Sequence, residues 1–383
     1  MVRNGQMHEI VRDGPNMKST DRHILAARMG RIDSSEIRRV FQLAGKLENP
    51  INLSIGQPHF PTPAPIIQAM EKALRENRTA YTETQGILPL RERLSRKFHD
   101  QNGFTAHPED ILVSSGVSCL IQLLLLATIE PGDHVLLTDP CFLIYRSMLN
   151  FLGARITTIP EQFSLKDVEG LDGDLKLIIF CSPSNPSGHV MSAAQIRWLA
   201  DLADQTGAVL VADEIYELFD YDGAFTSAGS IYPRTMTLMG FSKSYSMTGL
   251  RLAAATGPKD LITAMTTLQQ YTVVCAPAPV QWAGIPALDL NMSTEVAAYR
   301  KNRNYVLERL RGRLNVGEPR GAFYIFPEIP GEDRAFVERA IMEKELLVVP
   351  GSVFTKKKNH IRVSYATDPD TLERGMDALL DLL

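Results

Sequence analysis

The middle of the chain alternates short apolar runs with helical segments, and this alternation constrains the fold more than any other feature. The runs cover residues 111–113, 134–138, 175–181, 208–212, 235–241 and 252–256. Apolar residues at helical spacing fill intervening segments such as 119–129 and 193–205. Strands that alternate with helices build a largely parallel sheet with crossover helices on its faces. The sequence therefore predicts an α/β fold with a mostly parallel sheet flanked by helices.

The flanks of this alternation predict a second, smaller domain. From about residue 290 a long charged helical segment leads into short strands and further helices, a mixture typical of an α+β domain. We predict a large domain over residues 61–289 and a small domain that combines residues 21–60 with residues 290–383. Residues 1–20 are polar and mixed in charge, which predicts a flexible extension.

Size and charge argue against several functional classes. A chain of 383 residues, 44% of them hydrophobic, can bury a core without disulfides. The formal net charge of −4 gives no electrostatic argument for binding nucleic acid or an acidic membrane. No apolar run reaches membrane-spanning length and the N-terminus lacks a signal-peptide core, so the cytoplasm is the expected compartment. The cysteines and histidines show no metal-binding spacing, which predicts no metal site.

Three polar candidates follow predicted strands, at the sheet edge where open α/β folds bind ligands. In "MGFSKSYSMTGLR", residues 239–251, Lys243 stands where an apolar run has ended. It is either a surface lysine or an amine whose pKa is lowered in a desolvated pocket, able to form an imine with an aldehyde. Asp213 ends the strand "AVLVAD" and either caps a helix or keeps a ligand's ring nitrogen protonated. Tyr216, in the turn that follows, can reach the same ligand.

The segment "SSGVS" bends from a strand into a helix, and such a helix start is an anion-binding site. The backbone N–H groups of Gly116, Val117 and Ser118 would face an anion, with the helix dipole behind them. Arg251 would strengthen a phosphate site there, although a surface ion pair is the plain alternative.

Four further candidates each have a structural alternative. Asn185, in "SNPSG", either presents its amide to a ligand oxygen or belongs to a turn. Phe142 either packs in the core or covers a ring face. Arg362, in the apolar strand "HIRVSYA", either snorkels or grips a carboxylate with two hydrogen bonds. Gly56 is either a turn glycine or a backbone contact to a ligand.

Taken in order, these segments resemble a known family. "GQP", "AYTETQGILPLR", "SNPSG", "DEIY", "SKSYSMTGLR" and "IRVSYAT" resemble the pyridoxal-phosphate-dependent aminotransferases of fold type I, class I/II, which include aspartate and aromatic aminotransferases. The resemblance covers nearly the whole chain, from about Leu25 onward. It implies that the α-amino group of an L-amino acid is moved to a 2-oxo acid by a ping-pong exchange on pyridoxal 5'-phosphate.

The resemblance also implies a role for each candidate. Lys243 would hold the cofactor covalently and move the α-proton, and Asp213 would face the pyridine nitrogen. The other implied cofactor contacts are Asn185 and Tyr216 at the phenolic oxygen, Phe142 at the ring, and Gly116, Val117, Ser118 and Arg251 at the phosphate. The implied substrate contacts are Arg362, Gly56 and Asn185. Tyr81 would reach the phosphate from a neighbouring subunit, which implies a homodimer.

One departure from the family concerns the phosphate. Gly240 stands where relatives often carry a phosphate-binding serine, and Ser242 or Ser244 is the candidate replacement. Phe142 also replaces the Trp or Tyr of many members.

The sequence leaves alternatives open. A carbon–sulfur β-lyase or a 1-aminocyclopropane-1-carboxylate synthase would use the same cofactor residues. A transcription regulator would need a DNA-binding module ahead of the family-like part, where only about twenty residues stand. The amino donor is also open, since an aspartate enzyme needs a second cation, for which Arg28, Arg31 and Arg146 are candidates.

Overall fold

The computed structural model describes residues 24–32, 47, 49–171 and 173–383, so the predicted extension over residues 1–20 lies outside the described residues. The strands are β1 (Ile51–Asn52), β2 (Ile111–Ser114), β3 (His134–Asp139), β4 (Arg155–Pro160), β5 (Leu175–Cys181), β6 (Val209–Asp213), β7 (Thr235–Gly240), β8 (Ala253–Thr256), β9 (Tyr324–Ile325), β10 (Leu346–Leu347), β11 (Val349–Pro350) and β12 (Ile361–Ser364). The helices are α1 (Ala64–Arg75), α2 (Leu88–Asn102), α3 (Val117–Thr128), α4 (Leu143–Leu152), α5 (Leu165–Val168), α6 (Ala193–Thr206), α7 (Phe241–Ser244), α8 (Lys259–Gln270), α9 (Ala278–Ala287), α10 (Ser293–Leu310), α11 (Asp333–Lys344) and α12 (Pro369–Asp381). None of the helices described here is both long and apolar enough to cross a bilayer.

A seven-stranded sheet lies at the centre, with the order β2-β8-β7-β6-β5-β3-β4. β8 runs antiparallel to both of its neighbours, and every other adjacent pair is parallel. The predicted fold class, a mostly parallel sheet flanked by helices, is confirmed. Because the other six strands share one direction, the loops after β2, β3, β5, β6 and β7 open on the same edge of the sheet.

Continuous apolar runs explain the inner strands. All six residues of β7 and six of the seven in β5 are buried, as parallel strands covered by helices on both faces must be. Each Leu or Ile that is fully buried there contributes roughly 1.5–3 kcal/mol from the hydrophobic effect. The edge strand β4, with the sequence "RITTIP", buries only Ile159 and was not predicted. Its polar, half-exposed residues lack the apolar run that marks the inner strands.

Two smaller sheets lie outside the central one. β1 pairs in parallel with β10, and β12 pairs antiparallel with both β11 and β9. The β1–β10 pair brings residue 51 beside residue 346. A small domain that combines both ends of the chain would contain such a contact. The division into domains at residues 61–289 and at residues 21–60 with 290–383 stays a prediction.

An aromatic cluster joins the strand β9 to the loop after β6. Phe323 lies edge-on to Tyr216, with ring centroids 5.3 Å apart, and to Phe219 at 5.2 Å. Tyr324 contacts Tyr216 from the same side, with centroids 5.7 Å apart. These contacts close one wall of a cavity at the carboxyl edge of the central sheet.

Candidate active site

A cavity of about 790 Å³ opens at this edge. Eleven of the thirteen residues predicted from the sequence line it, namely Gly56, Val117, Ser118, Phe142, Asn185, Asp213, Tyr216, Ser242, Lys243, Arg251 and Arg362. Gly116 lies beside the guanidinium of Arg251. Tyr81 is 83% exposed on the surface and does not line the cavity of its own chain.

Lys243 enters the cavity from the short helix α7, which follows directly on β7. Its ammonium group donates a hydrogen bond to the carbonyl oxygen of Gly56. Burial, reinforced by the positive charges of Arg362 and Arg251, lowers the pKa of Lys243 to about 8, against the opposing effect of Asp213. At pH 7 roughly a tenth of such amines is neutral, far more than for an ordinary lysine. The site therefore holds a nucleophilic amine.

Asp213 ends β6 and is 3% exposed. The hydroxyl of Tyr145 donates to Oδ2 at 2.6 Å, and the backbone N–H of Ile215 donates to Oδ1 at 3.2 Å. Burial raises the pKa of Asp213 to about 6, although these two donors and Lys243 oppose the rise. The carboxylate can accordingly accept a proton or a strong hydrogen bond from a basic ligand nitrogen.

Tyr145 was missed by the sequence reasoning. It lies three residues after Phe142 in "CFLIY", one helical turn further along, and is 1% exposed. That spacing could have suggested a residue on the same helix face. The sequence carries no sign that its partner is Asp213, 68 residues away in the chain.

The N-terminus of α3 and the guanidinium of Arg251 lie together at the cavity. Gly116 caps the helix with a φ of 90°, a conformation that favours glycine. A Cβ atom at Gly116 would collide with the guanidinium of Arg251, so the glycine lets this arginine approach the helix start. Arg251 also donates through Nη1 to the carbonyl oxygen of Thr248 at 2.9 Å. Unpaired N–H groups of the first turn and a guanidinium together suit a phosphate.

Packing explains why Gly240 departs from the family. A Cβ atom there would lie 2.6 Å from Cγ1 of Ile215 and 3.0 Å from Cγ2 of Val117. These two side chains fill the space that a serine would need. Ser242 lines the cavity, whereas Ser244 does not and its buried hydroxyl has no partner among the described residues. Of the two candidate replacements, only Ser242 is placed to contact a ligand.

Arg362 is a buried cation that lacks a carboxylate partner within the described part of the chain. It is 2% exposed and lies on β12. Nη1 donates to Oδ1 of Asn185 at 3.0 Å and Nη2 donates to the carbonyl oxygen of Ser54 at 2.7 Å, while the buried Nε has no partner there. A buried guanidinium without a counter-charge is costly, so it suits a carboxylate ligand that completes the pair.

Tyr216 and Tyr324 face each other across the cavity wall. Their hydroxyl oxygens lie 2.9 Å apart, and both residues line the cavity. Tyr324 lies within the apolar segment "GAFYIFP", residues 321–327. Nothing in that apolar segment marks one tyrosine as part of the site.

The three arginines considered for a second carboxylate lie elsewhere. Arg28 stacks on Phe151 at 5.2 Å from the ring centroid, and Arg31 lies against Gly153. Arg146 donates to Asp139 at 2.8 Å. None of them lines the cavity. Over residues 24–32, 47, 49–171 and 173–383, the cations that do so are Lys243, Arg251 and Arg362.

Comparison with known proteins identifies the family of the chain. The family model "Aminotransferase class I and II" matches residues 48–379. A probable aspartate aminotransferase of Methanocaldococcus jannaschii is 34% identical, over 94% of this chain and 100% of the relative. Aromatic-amino-acid aminotransferase 2 of Thermococcus litoralis is 32% identical, over 94% of this chain and 98% of the relative. A solved structure of the Thermus thermophilus aspartate aminotransferase with maleate superimposes with a TM-score of 0.89 at 31% identity, covering 94% of this chain and 99% of that one.

The matching family and relatives are aminotransferases, a class of transferases. The chain belongs to the class I and II aminotransferase family. It is a transaminase, which moves amino groups between amino acids and 2-oxo acids.

Proposed function

We propose that the cavity binds pyridoxal 5'-phosphate and that Lys243 holds it covalently during a ping-pong transamination. One observation carries this proposal: Lys243, Asp213 and Arg362, the amine, carboxylate and guanidinium that the reaction needs, line a single cavity. Their chemistry is complementary to an aldehyde, a ring nitrogen and a substrate carboxylate.

The remaining residues fit the other parts of this cofactor. Arg251 and the first turn of α3 would hold the phosphate, with Ser242 beside them. Tyr216 and the side-chain NH₂ of Asn185, whose oxygen is occupied by Arg362, would donate to the phenolic oxygen. Phe142 would lie against the ring. The volume of about 790 Å³ exceeds what the cofactor needs and leaves room for a substrate.

The chain's own groups would then carry out the proton transfers. Bound pyridoxal phosphate supplies an electron sink for the bonds at the substrate's α-carbon. Arg362 would fix the substrate carboxylate and so select which α-bond reacts. Lys243, once free, would remove the substrate's α-proton as a general base and return it to the cofactor's C4′ carbon. Asp213 would keep the ring nitrogen protonated, and its burial strengthens that charge pair.

We further propose that the amino donor has a neutral, largely apolar side chain. The three cations that the described residues bring to the cavity would be committed to the aldehyde carbon, the phosphate and the α-carboxylate. The wall contributed by α3 and α4 is mainly apolar, with Ile121, Leu143, Ile144 and Met148. A second carboxylate placed there without a partner would lose roughly ten- to a hundredfold in affinity.

A panel of donors tests this preference. L-Phenylalanine, L-leucine and L-aspartate would each be assayed with 2-oxoglutarate and with pyruvate. We expect kcat/KM for the neutral donors to exceed that for aspartate by roughly tenfold or more, from the missing cation. A higher value for aspartate would contradict the proposed donor class while leaving transamination intact.

Lys243→Ala tests the function itself. We expect transamination to fall by at least about a thousandfold, because the covalent attachment and the general base disappear together. Lys259→Ala, which removes an exposed lysine at the start of α8, is the control and should retain wild-type activity. Wild-type rates from Lys243→Ala would refute the proposal. Pyruvate and ammonia released from cystathionine without an acceptor would favour the β-lyase.

Tyr81 is the proposed contribution of a second subunit. It lies outside its own cavity, with 83% of its surface exposed, while the implied role requires contact with a phosphate. A homodimer reconciles the two, because Tyr81 of one subunit can then complete the other subunit's site.

A further inference from the structure

Tyr324 lines the cavity, yet the proposed function gives it no part. It lies on β9 and is 1% exposed. Its hydroxyl oxygen is 2.9 Å from that of Tyr216. Its ring lies against Arg362, whose guanidinium carbon is 4.5 Å from the ring centroid. One side chain thus contacts a residue on the cofactor side and a residue on the substrate side.

The hydroxyl of Tyr324 lies between the hydroxyl of Tyr216 and the backbone of Gly56. A Cβ atom at Gly56 would collide with the Tyr324 oxygen, so the space beside this oxygen is taken up by the backbone of Gly56. The ionisable groups around Tyr216 are Tyr324 on β9, Cys181 on β5 and Arg362 on β12, and among the described residues only Tyr324 hydrogen-bonds the Tyr216 hydroxyl.

Either hydroxyl can donate in this contact, and the direction of the Tyr216 proton depends on which one does. For Tyr216 to donate into the cavity, its oxygen must accept the proton of Tyr324. A hydroxyl that accepts one hydrogen bond becomes a stronger donor in the next, because the two bonds polarise each other. Tyr324 therefore both aims and strengthens the hydrogen bond that Tyr216 offers to a ligand.

The ring of Tyr324 restrains Arg362 in a separate way. The guanidinium is also close to Phe354, at 5.0 Å from that centroid, so aromatic rings limit its tilt. The hydrogen bonds to Asn185 and Ser54 hold the Nη1 and Nη2 atoms of Arg362. Without the aromatic rings, the guanidinium plane could still rotate about the line that joins these two atoms. Aromatic contact with the guanidinium also stabilises its charge.

We propose that Tyr324 is a positioning residue with two separable parts: its hydroxyl orients Tyr216 toward the phenolic oxygen of the cofactor, and its ring orients Arg362 for the substrate carboxylate. The inference deepens the proposed function and rests on it. The two parts can be removed one at a time, by Tyr324→Phe and by Tyr324→Leu.

Tyr324→Phe removes only the hydroxyl. A weaker donor stabilises the anionic phenolic oxygen less, so the pH midpoint of the holoenzyme's visible absorbance should rise by roughly half a unit. Tyr221→Phe is the matched control, since it removes a buried hydroxyl that bonds the carbonyl oxygen of Ala322 outside the cavity. An unchanged midpoint in Tyr324→Phe, or the same rise in both variants, would overturn the role of the hydroxyl.

Tyr324→Leu removes the ring as well. We expect the dissociation constant of 3-phenylpropionate, an unreactive monocarboxylate, to rise roughly three- to tenfold in Tyr324→Leu through loss of the aromatic contact. In Tyr324→Phe it should stay within about twofold, because the ring remains. Equal weakening in the two variants, or none in Tyr324→Leu, would overturn the role of the ring.

The readouts separate this inference from the proposed function. If the wild-type protein develops no visible band with pyridoxal phosphate, the proposed function fails. If the wild-type protein develops the visible band and the Tyr324 variants behave like the wild type, only the inference about Tyr324 fails. Near-ultraviolet circular dichroism of all variants identifies any that do not fold, and the Phe variant alone still tests the hydroxyl.

Discussion

The electrostatics of one amine dominate the chemistry at the scale of single residues. Burial lowers the pKa of Lys243 to about 8, and two cations and one anion around it modify this shift. Arg362 and Arg251 push this pKa down, while Asp213 pushes it up. The opposing signs make the arrangement testable without any assay of activity.

Single charge changes should move the titration of Lys243 in opposite directions. Removing a cation in Arg362→Gln should raise its pKa, and removing the anion in Asp213→Asn should lower it. We expect shifts of roughly half a unit to one unit, because burial keeps these charges strongly coupled. The measurement is the pH dependence of labelling by 1-fluoro-2,4-dinitrobenzene in the apoprotein, read by peptide mass spectrometry.

Only the neutral amine reacts, so labelling rises as the pH rises through the pKa. Labelling of exposed Lys259 in the same digests provides the internal reference. Shifts of the same sign in Arg362→Gln and Asp213→Asn would show that local charge does not control this amine.

The junction of β7 and α7 matters most at the scale of elements. Gly240 ends the strand, and the helix that carries Lys243 begins at the next residue. Ile215 and Val117 pack into the space beside Gly240. A serine at position 240 would therefore fit, and could contact a phosphate, only if Ile215 and Val117 moved.

Gly240→Ser should consequently destabilise the protein. Forcing a side chain against Ile215 and Val117 should lower the free energy of unfolding by roughly 1–3 kcal/mol. Gly249→Ser is the control, because a Cβ atom there meets nothing within 4 Å. Its effect should stay within about 0.5 kcal/mol. Urea unfolding measures both, and an unchanged or higher stability of Gly240→Ser would contradict the packing argument.

The sequence predicted the buried strands well, because a buried strand appears in the sequence as a run of apolar residues. β2, β3, β5, β6, β7 and β8 differ from the predicted runs by at most a residue at each end. β4 has no such run, because five of its six residues are exposed or half-exposed, whereas β2 at the other edge of the sheet is fully buried and was predicted. Tyr145 and Tyr324 were missed for a different reason. Their partners, Asp213 and Tyr216, lie 68 and 108 residues away, and only the folded chain brings them together.

An exposed apolar patch points to assembly at the scale of the whole molecule. Tyr81 and Tyr271 are each 83% exposed, and Val273 and Val274 are 39% and 37% exposed. The side-chain amide of Gln269 donates to the carbonyl oxygen of Thr84 at 2.6 Å, which brings the two segments together. Large exposed apolar groups in one region mark a contact surface. The patch supports the proposed homodimer, in which Tyr81 serves the neighbouring site.

Mixing two inactive variants tests whether Tyr81 acts across subunits. A hybrid of Lys243→Ala with Tyr81→Ala would contain one site with an intact Lys243 and an intact Tyr81 from the other chain. Random exchange of subunits should make half of the dimers hybrids, and one of the two sites in each hybrid is intact. About one quarter of the wild-type number of sites should therefore be restored. Activity is measured at limiting pyridoxal phosphate, before and after mixing. No recovery, with exchange verified by mass, would place Tyr81 outside the neighbouring site.

Covalent capture at Lys243 tests the central claim most directly. The wild-type protein is incubated with pyridoxal phosphate, reduced with borohydride, digested and mapped by mass spectrometry. We expect one phosphopyridoxyl group per chain, on the peptide that contains Lys243, and none on that peptide without reduction. Full incorporation on a different lysine, or no incorporation at saturating cofactor, would contradict the account.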